Sequence, residues 1–196
     1  FDAVAGERLS MAFVLLATTG MRRGEVLGLR WEDVDLDGRA LSIVQTLTTV
    51  SNRIHIGPPK TGKSRRRVSL DTVTFDALRA HRMRQLEERL AAGDAWSNDA
   101  ELVFTDELGG PVHPDRFSKS FDRIVRDVEL PRIRLHDRRH SYATLALKAG
   151  VHPKVVSERL GHSTIAITLD LYSHVAQGLD ADAAELVASR IYGTST

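Results

Sequence analysis

Residues 135–174 carry more chemically active groups than a fold alone requires. His136 and Arg139 stand in the pattern His-x-x-Arg, His162 ends a Leu-Gly-His sequence, and Tyr172 follows ten residues later. A phenol can act as a nucleophile, an imidazole donates or carries protons, and a guanidinium neutralises an anion. Together these groups suit cleavage of a phosphodiester, with Tyr172 as the candidate attacking group.

Two patterns resemble metal sites but do not complete them. His136 and His140 lie four residues apart, as in the zinc motif His-Glu-x-x-His, but Asp137 replaces the glutamate and two arginines lie between the histidines. Residues 33–38 begin like a calcium loop, but such a loop needs a glutamate at its twelfth position, where Val44 stands. We therefore expect no metal or other cofactor, an acidic turn at residues 33–38, and one helical face shared by His136 and Arg139.

Composition and charge distribution exclude several classes of protein. The chain has no cysteine, which excludes disulfides, thiolate metal sites and a cysteine nucleophile. Its longest apolar run, residues 11–17, is too short to span a bilayer, so we expect no membrane partner. The net charge is only +1, but residues 60–67 hold five cations in eight positions and residues 132–139 hold four arginines. Because most acidic residues collect elsewhere, these two runs predict a surface that faces a polyanion.

Hydrophobic periodicity predicts a mostly helical chain, and its 196 residues fit one domain of ordinary size. Apolar spacing and capping residues indicate helices over residues 7–19, 22–29, 71–92, 114–128, 136–148, 153–160 and 181–191, with a short helical piece after Ser163. Alternation indicates strands over residues 40–46, 53–56 and 67–70. We predict an α+β fold, mostly α with a small antiparallel β-sheet that carries the basic residues 60–67 near a turn.

The order of the candidate residues is more specific than any one of them. Taken singly, His162 can cap a helix and Tyr172 can be a buried aromatic residue. In order, however, the chain resembles the tyrosine recombinase, or phage integrase, family from about residue 7 to residue 174. The resemblance rests on five segments: 19–31 (T-G-M-R-R-G-E, then L-G-L-R-W), 60–64 (K-T-G-K-S), 136–140 (H-D-R-R-H), 160–162 (L-G-H) and 172–174 (Y-S-H). It implies the DNA breaking-rejoining catalytic-domain fold of that family.

The resemblance implies a metal-independent enzyme that breaks and rejoins DNA strands. Tyr172 would attack a phosphodiester, forming a 3′-phosphotyrosyl intermediate and a free 5′-OH, before strand exchange and rejoining. Arg22 and Arg139 suit the phosphate, because a guanidinium fork matches two phosphate oxygens and stays protonated. His136 and His162 would donate to the same oxygens or carry the proton of the nucleophile.

Other basic residues take supporting roles in this interpretation. By analogy with the family, Lys60 lies on a hairpin and protonates the leaving 5′ hydroxyl. Glu25, three residues after Arg22, is expected to orient an arginine or the hairpin and not to act as a base. Contacts to the DNA backbone are expected from Lys63, Arg65, Arg66, Arg67 and Arg134.

The resemblance also implies an organisation and a set of partners. Residues 1–178 would form the catalytic domain, and residues 179–196 a helical tail that packs on its own domain or docks on a neighbouring protomer. An N-terminal core-binding domain, usual in the family, is absent from this sequence. Expected partners are double-stranded DNA, three further copies in a homo-tetramer on DNA, and accessory DNA-bending or directionality proteins. The isolated chain is compatible with a monomer.

We expect a cytoplasmic, nucleoid-associated protein, encoded by a bacterium or phage, that integrates or excises a phage or another mobile element. Two other functions stay open at this point. One is a DNA-binding regulator that has lost catalysis on the same fold. The other is an enzyme with the same chemistry, such as a type IB topoisomerase or a hairpin telomere resolvase.

Overall fold

Helices dominate the architecture, and short strands lie between the second and third helices. The structure is a computed structural model that describes residues 7–59, 62–128, 135, 137–175 and 179–193, with the side chains at 63, 172, 174, 175, 179–183 and 186 left undescribed. The helices are α1 Ser10–Thr19, α2 Arg23–Leu27, α3 Thr72–Ala92, α4 Pro114–Asp127, α5 Asp137–Lys148, α6 Pro153–Leu160, α7 Ala166–Val175 and α8 Leu179–Tyr192. The strands are β1 Val34–Asp35, β2 Ala40–Ile43, β3 Thr46–Val50, β4 Arg53–Gly57 and β5 Arg66–Ser69.

The predicted fold class is confirmed, but the strands of the described residues form two sheets instead of one. β1, β2 and β5 form an antiparallel sheet with β2 in the middle, and β3 pairs with β4 in a separate hairpin. The single strand predicted over residues 40–46 is therefore wrong, because the chain leaves the first sheet after Ile43. β3 then packs against α2 so closely that a Cβ on Gly24 would lie 2.5 Å from the carbonyl oxygen of Leu47.

Local capping signals place most helix boundaries correctly. Asp71 caps α3 by accepting a hydrogen bond from the Thr74 amide at 2.9 Å, and the helix ends at Gly93 as predicted. The acidic turn is also confirmed, because Asp35 accepts hydrogen bonds from the amides of Asp37 and Gly38 at 3.1 and 2.7 Å. The described residues contain no group of three or more His, Asp or Glu side chains placed to hold a metal ion.

The core has a large and a small part. The large part surrounds α1, where Phe13 stacks on Phe117 with ring centroids 4.7 Å apart and lies 5.7 Å from the ring of Phe121. α1 is buried around most of its circumference, and its one half-buried side carries Ser10, Val14, Ala17 and Thr18. The small part joins α5 and α6 and comprises Ala143, Leu147, Val156 and Leu160. Among the described helices, none is both long and apolar enough to cross a membrane.

Gly20 lies where the two parts of the core meet. Its φ angle is +65°, and a Cβ there would lie 2.5 Å from Leu160 Cδ2 and 2.7 Å from Tyr142 Cδ1. Only glycine combines this left-handed conformation with the absence of a side chain. At Gly20, two residues before Arg22, the chain therefore packs closely against α5 and α6.

Phe117→Ala should destabilise the fold by about 3–5 kcal/mol, because it empties a site in a dense core. Phe117 is 0% exposed, whereas Leu90 on α3 is 82% exposed and serves as a control. Leu90→Ala should change the free energy of unfolding by no more than about 0.5 kcal/mol. Urea denaturation of both variants measures the difference, and equal losses would contradict this description of the core.

Candidate active site

Three arginines from distant parts of the chain meet at the C-terminal end of α6. The consecutive carbonyl oxygens of residues 159, 160 and 161 accept hydrogen bonds from Arg66 Nε at 2.7 Å, from Arg139 Nη2, and from Arg22 Nη2 at 3.2 Å. The last carbonyls of a helix lack partners within the helix and carry the negative end of its dipole. The end of α6 therefore attracts guanidinium groups and fixes where they stand.

Glu25 lies between two of these arginines. Its side chain is 2% exposed, and it accepts hydrogen bonds from Arg22 Nη1 at 2.8 Å and from Arg66 Nη1 and Nη2 at 3.0 and 2.8 Å. Burial alone would raise the pKa of Glu25, but the hydrogen bonds and charge of Arg66, together with hydrogen bonds from Arg22, hold it below its ordinary value. Glu25 is thus an anion that offsets part of the charge of the arginines.

Arg22 owes its position to the start of α2. It is the residue before the helix, with an extended backbone, and its amide donates to Glu25 Oε2 at 2.8 Å. This contact satisfies an amide that the helix itself leaves without a partner. The Arg22 side chain is 41% exposed. Contacts with other described residues use two of its five N–H groups, one to Glu25 and one to Gly161.

Arg139 is held from behind by backbone carbonyls. It lies in the first turn of α5, is 8% exposed, and donates through Nη1 to the Gly20 carbonyl at 2.9 Å. Burial, reinforced by the nearby Arg22, lowers the pKa of the Arg139 guanidinium to about 9. The group stays a cation at neutral pH, but it is poorly solvated and would gain from the approach of an anion.

His162 follows directly on the helix end that gathers the arginines. Gly161, with a φ angle of +65°, ends α6 and turns the chain so that His162 Nδ1 lies 2.8 Å from Thr168 Oγ1 on α7. Thr168 is 0% exposed. Burial, with the positive charges of Arg139 and Arg22, lowers the pKa of His162 to about 4. The imidazole is therefore neutral at pH 7.

Two clefts open on either side of Arg22. The larger, of about 760 Å³, runs between β3 and the loop from α6 to α7, and its lining includes Glu25, His162, Ser163 and Pro59. The smaller, of about 310 Å³, lies towards α4 and is lined by residues that include Arg139 and Leu135. Pro59, which precedes Lys60 in the sequence, and Leu135, which precedes His136, belong to the walls of these clefts.

Several predicted site residues, or their side chains, lie outside the part of the chain that the structure describes. Lys60, His136 and Arg134 lie outside the described residues, as do the side chains of Lys63 and Tyr172. The backbone of Tyr172 belongs to α7, four residues after Thr168, which is one turn further along the helix. α7 packs against both α5 and α6. The element that carries the candidate nucleophile therefore adjoins the two helices that position Arg139 and His162.

The basic residues after Lys60 do not share one environment. Arg65 is exposed, and the side chain of Arg67 is 56% exposed and pairs with Asp35. Arg66 was predicted to contact DNA with them, but the structure instead places it inside the protein with its side chain 7% exposed. The physical reason is strand alternation, which turns Arg66 to the same side as the buried Val68.

Comparison with known proteins identifies the family. The model of the phage integrase family matches residues 2–178. The chain belongs to the phage integrase family. Three of the five segments that resemble the family supply Arg22, Arg139 and His162, which lie together at the end of α6.

Two relatives share a substantial part of the sequence of this family member. A tyrosine recombinase XerC-like protein of Caldanaerobacter subterraneus subsp. tengcongensis is 38% identical over 185 residues, which cover 89% of the chain and 47% of that protein. The ICEBs1 integrase of Bacillus subtilis is 32% identical over 157 residues, which cover 80% of the chain and 42% of that protein. The chain spans about half the length of the curated relatives it matches.

Solved structures share the fold of this phage integrase family member. The Tn1549 transposon integrase in complex with transposon right-end DNA superposes with a TM-score of 0.76 at 24% identity, covering 96% of the chain and 60% of that protein. XerA recombinase superposes with a TM-score of 0.68 at 21% identity, again covering 96% and 60%. The predicted catalytic-domain fold is confirmed by these likenesses.

From the sequence of this family member, Thr168 was not recognised as part of the site, and Arg66 was expected to contact DNA and not Glu25. Thr168 contacts His162, and its only sequence signal was its spacing of four residues from Tyr172 on one helix. Arg66 contacts Glu25. The sequence signal for its burial was that Arg66 and Val68 alternate onto the same face of one strand, but the surrounding run of cations obscured this pattern. Arg138, left open between a structural role and a DNA contact, packs over the ring of Phe121 at 4.5 Å.

The pKa of His162 in the free protein should be about 4, well below the ordinary 6.5 of histidine. Between these pH values the unfolded chain takes up a proton here and the folded chain does not. His162 therefore contributes to stability above pH 6.5, and this contribution is lost as the pH falls towards 4. An NMR titration of the imidazole nitrogens measures the pKa, with His162→Gln to assign the signal. A pKa at or above 6.5 would contradict the described environment.

Proposed function

We propose that this chain is the catalytic portion of a site-specific DNA recombinase that acts through a tyrosine. The observation that carries the proposal is the end of α6, where Arg22, Arg139 and the neutral His162 stand together beside the helix that carries Tyr172. Relatives named as integrases and a structural neighbour in complex with DNA support the same assignment. The expected role is integration or excision of a phage or another mobile element.

The arginines provide a binding place for one phosphodiester. The described part of the site holds three guanidinium groups and one carboxylate, so it carries net positive charge before DNA arrives. Contacts with the described residues take two of the five N–H groups of Arg22 and two of those of Arg139, which leaves donors for phosphate oxygens. These donors stabilise the charge that builds on the phosphoryl oxygens as the bond forms. Because contacts with the protein already hold these guanidinium groups in place, they need little reorganisation as the reaction proceeds.

His162 acts in this proposal as a neutral hydrogen-bond donor. Its pKa of about 4 makes it a weak base, because burial disfavours the charged ring and Arg139 and Arg22 oppose a further positive charge. Phosphate oxygens only accept, so the useful tautomer carries its hydrogen on Nε2, with the hydroxyl of Thr168 donating to Nδ1. A bound phosphate would then raise the pKa of His162, since an opposite charge favours the protonated form.

The covalent step transfers the phosphoryl group to Tyr172. The phenolic oxygen attacks phosphorus, the bond to the 5′ oxygen breaks, and the DNA 3′ end becomes joined to the tyrosine. We assign the phenolic proton to His136 or His162, and the leaving 5′ oxygen takes a proton from Lys60. No metal takes part. The phosphotyrosyl bond keeps the energy of the broken bond, so a 5′-OH of another strand can reverse the step and complete strand exchange.

DNA contacts and assembly extend beyond this site. We propose that Lys63, Arg65, Arg67 and Arg134 contact the DNA backbone, which positions the duplex without reading its sequence. Homo-tetramer formation on DNA, accessory DNA-bending or directionality proteins, and a cytoplasmic, nucleoid-associated location belong to the same proposal. We also retain residues 1–178 as the catalytic domain and residues 179–196 as a tail. α8 exposes Val187 and Ile191 at 57% and 70%, which suits docking of this tail on a neighbouring protomer.

Tyr172→Phe should abolish covalent attachment to DNA and leave DNA binding intact, because only the nucleophilic oxygen is removed. The substrate is a library of nicked duplexes with a randomised central segment, in buffer that contains EDTA. Wild-type adducts are captured after denaturation and sequenced, which also identifies the preferred DNA site. Tyr192→Phe is the matched control, because Tyr192 is 79% exposed at the end of α8. Adducts that persist in Tyr172→Phe would refute the assignment of the nucleophile.

Arg22→Ala should slow adduct formation by about 100- to 1,000-fold, since loss of one donor to a developing oxyanion costs about 2.7–4 kcal/mol. The rate is measured at saturating DNA, where weaker binding does not contribute. Thermal denaturation checks that the variant is folded, because Arg22 also contacts Glu25. Adduct formation within a few-fold of the wild type would exclude Arg22 from the reaction.

A separate assay of strand exchange between two marked duplexes distinguishes a recombinase from a topoisomerase.

A further inference from the structure

Arg66 occupies a different place from the arginines beside it in sequence. Its side chain is 7% exposed, whereas that of Arg67 is 56% exposed. Burying a guanidinium is costly unless its donors are satisfied, so a buried arginine in this position has specific partners. Four of its five N–H groups have partners among the described residues: two contact Glu25, one the carbonyl of Ser64 and one the carbonyl of Arg159.

These partners lie on three segments that each lead to a catalytic residue. Glu25, on α2, contacts Arg22 through both its amide and its guanidinium. The Arg159 carbonyl is at the end of α6, two residues before the Gly161 carbonyl that accepts from Arg22 and three before His162. Ser64 ends the short helical turn Gly62–Ser64 that follows Lys60 in the chain. Arg66 therefore connects the segments that carry Arg22, His162 and Lys60.

The fit around Arg66 leaves little freedom. A Cβ on Gly161 would lie 2.9 Å from Arg66 Nη1 and 3.1 Å from its Cδ. The fork of Arg66 meets both oxygens of Glu25, an arrangement that a lysine cannot reproduce with its single nitrogen. The position of Arg66 thus depends on a glycine at the helix end and on the planar shape of the guanidinium.

We propose that Arg66 is a positioning residue that holds Glu25 against Arg22 and the end of α6, and thereby sets the geometry of the catalytic residues without contacting DNA. The inference rests on the proposed recombinase function. This role differs from the DNA-backbone contact that is expected of the exposed Arg65 and Arg67. A residue with this role affects the rate of the covalent step, whereas a residue that contacts the DNA backbone affects affinity.

Charge strengthens the geometric argument. Among the described residues, the charged groups around Glu25 are Arg22 immediately before α2, Arg66 on β5 and Arg139 on α5. α1 and β3, which also pack on α2, contain no charged residue, and Asp115 of α4 lies against Arg23. After the opposing effect of burial, the hydrogen bond and charge of Arg66 are the largest causes of the low pKa of Glu25. Without Arg66, burial would favour the protonated carboxyl, which binds Arg22 less strongly.

The test compares Arg66→Met and Arg66→Lys with Arg126→Met, which removes the same charge from a residue that is 77% exposed on α4. Covalent adduct formation is followed from pH 5 to pH 8 on the nicked duplex selected with the wild-type protein, at saturating DNA. We expect Arg66→Met to slow the step by about 100-fold at pH 7, as for a small displacement of catalytic groups. The loss should deepen as the pH falls, because Glu25 takes up a proton. Arg66→Lys should recover little, and Arg126→Met should match the wild type.

Two further measurements separate the possible outcomes. Glu25→Gln combined with Arg66→Met should remove the additional loss at low pH, because the titrating carboxyl is gone. Carbon-13 NMR of labelled glutamate should show a higher pKa for Glu25 in Arg66→Met than in the wild type, and this readout does not depend on activity. An unchanged Glu25 pKa, or a defect confined to DNA affinity, would overturn the positioning role. Absence of any adduct with wild-type protein would instead refute the proposed function.

Discussion

Three guanidinium groups meet at one helix end although like charges repel. Two features of the structure offset this repulsion. The carbonyls of residues 159–161 present the negative end of α6, and the buried carboxylate of Glu25 accepts hydrogen bonds from Arg22 and Arg66. The offset is partial, since burial, together with the charge of Arg22, still lowers the pKa of Arg139 to about 9. In the proposed function, a bound phosphate would supply the negative charge that this site lacks.

Burial and the same positive charge together explain the state of His162. Burial of the ring, with the nearby charges of Arg139 and Arg22, lowers the pKa of His162 so far that the imidazole stays neutral at pH 7. Its orientation comes from a different source, the hydrogen bond to Thr168 on α7. The helix that carries Tyr172 is therefore linked to the histidine directly. Any movement of α7 would change the orientation of His162 together with the position of the proposed nucleophile.

Close packing at glycines allows the distant segments to meet. Gly20 brings the end of α1 against Tyr142 and Leu160, and Gly161 makes room for Arg66. Sequence patterns predicted the helices well, because apolar spacing and caps act over a few residues. They failed for residues 40–46, which divide between two sheets, because that division depends on the packing of β3 against α2. They also misplaced Arg66, since a run of cations obscured the alternation of a short strand.

The sequence alone determined which residue types the site contains and in what order, because nucleophile, imidazoles and arginines are recognisable by their chemistry and spacing. It also determined the faces of the helices, through local periodicity. Only the tertiary structure decided which arginines are buried and which partners they contact. Arg66 and the carbonyl of Arg159 are 93 residues apart, and Arg22 and the carbonyl of Gly161 are 139 residues apart. Contacts over such separations depend on how whole elements pack, and this packing buries Arg66 against Glu25 while it leaves Arg67 exposed.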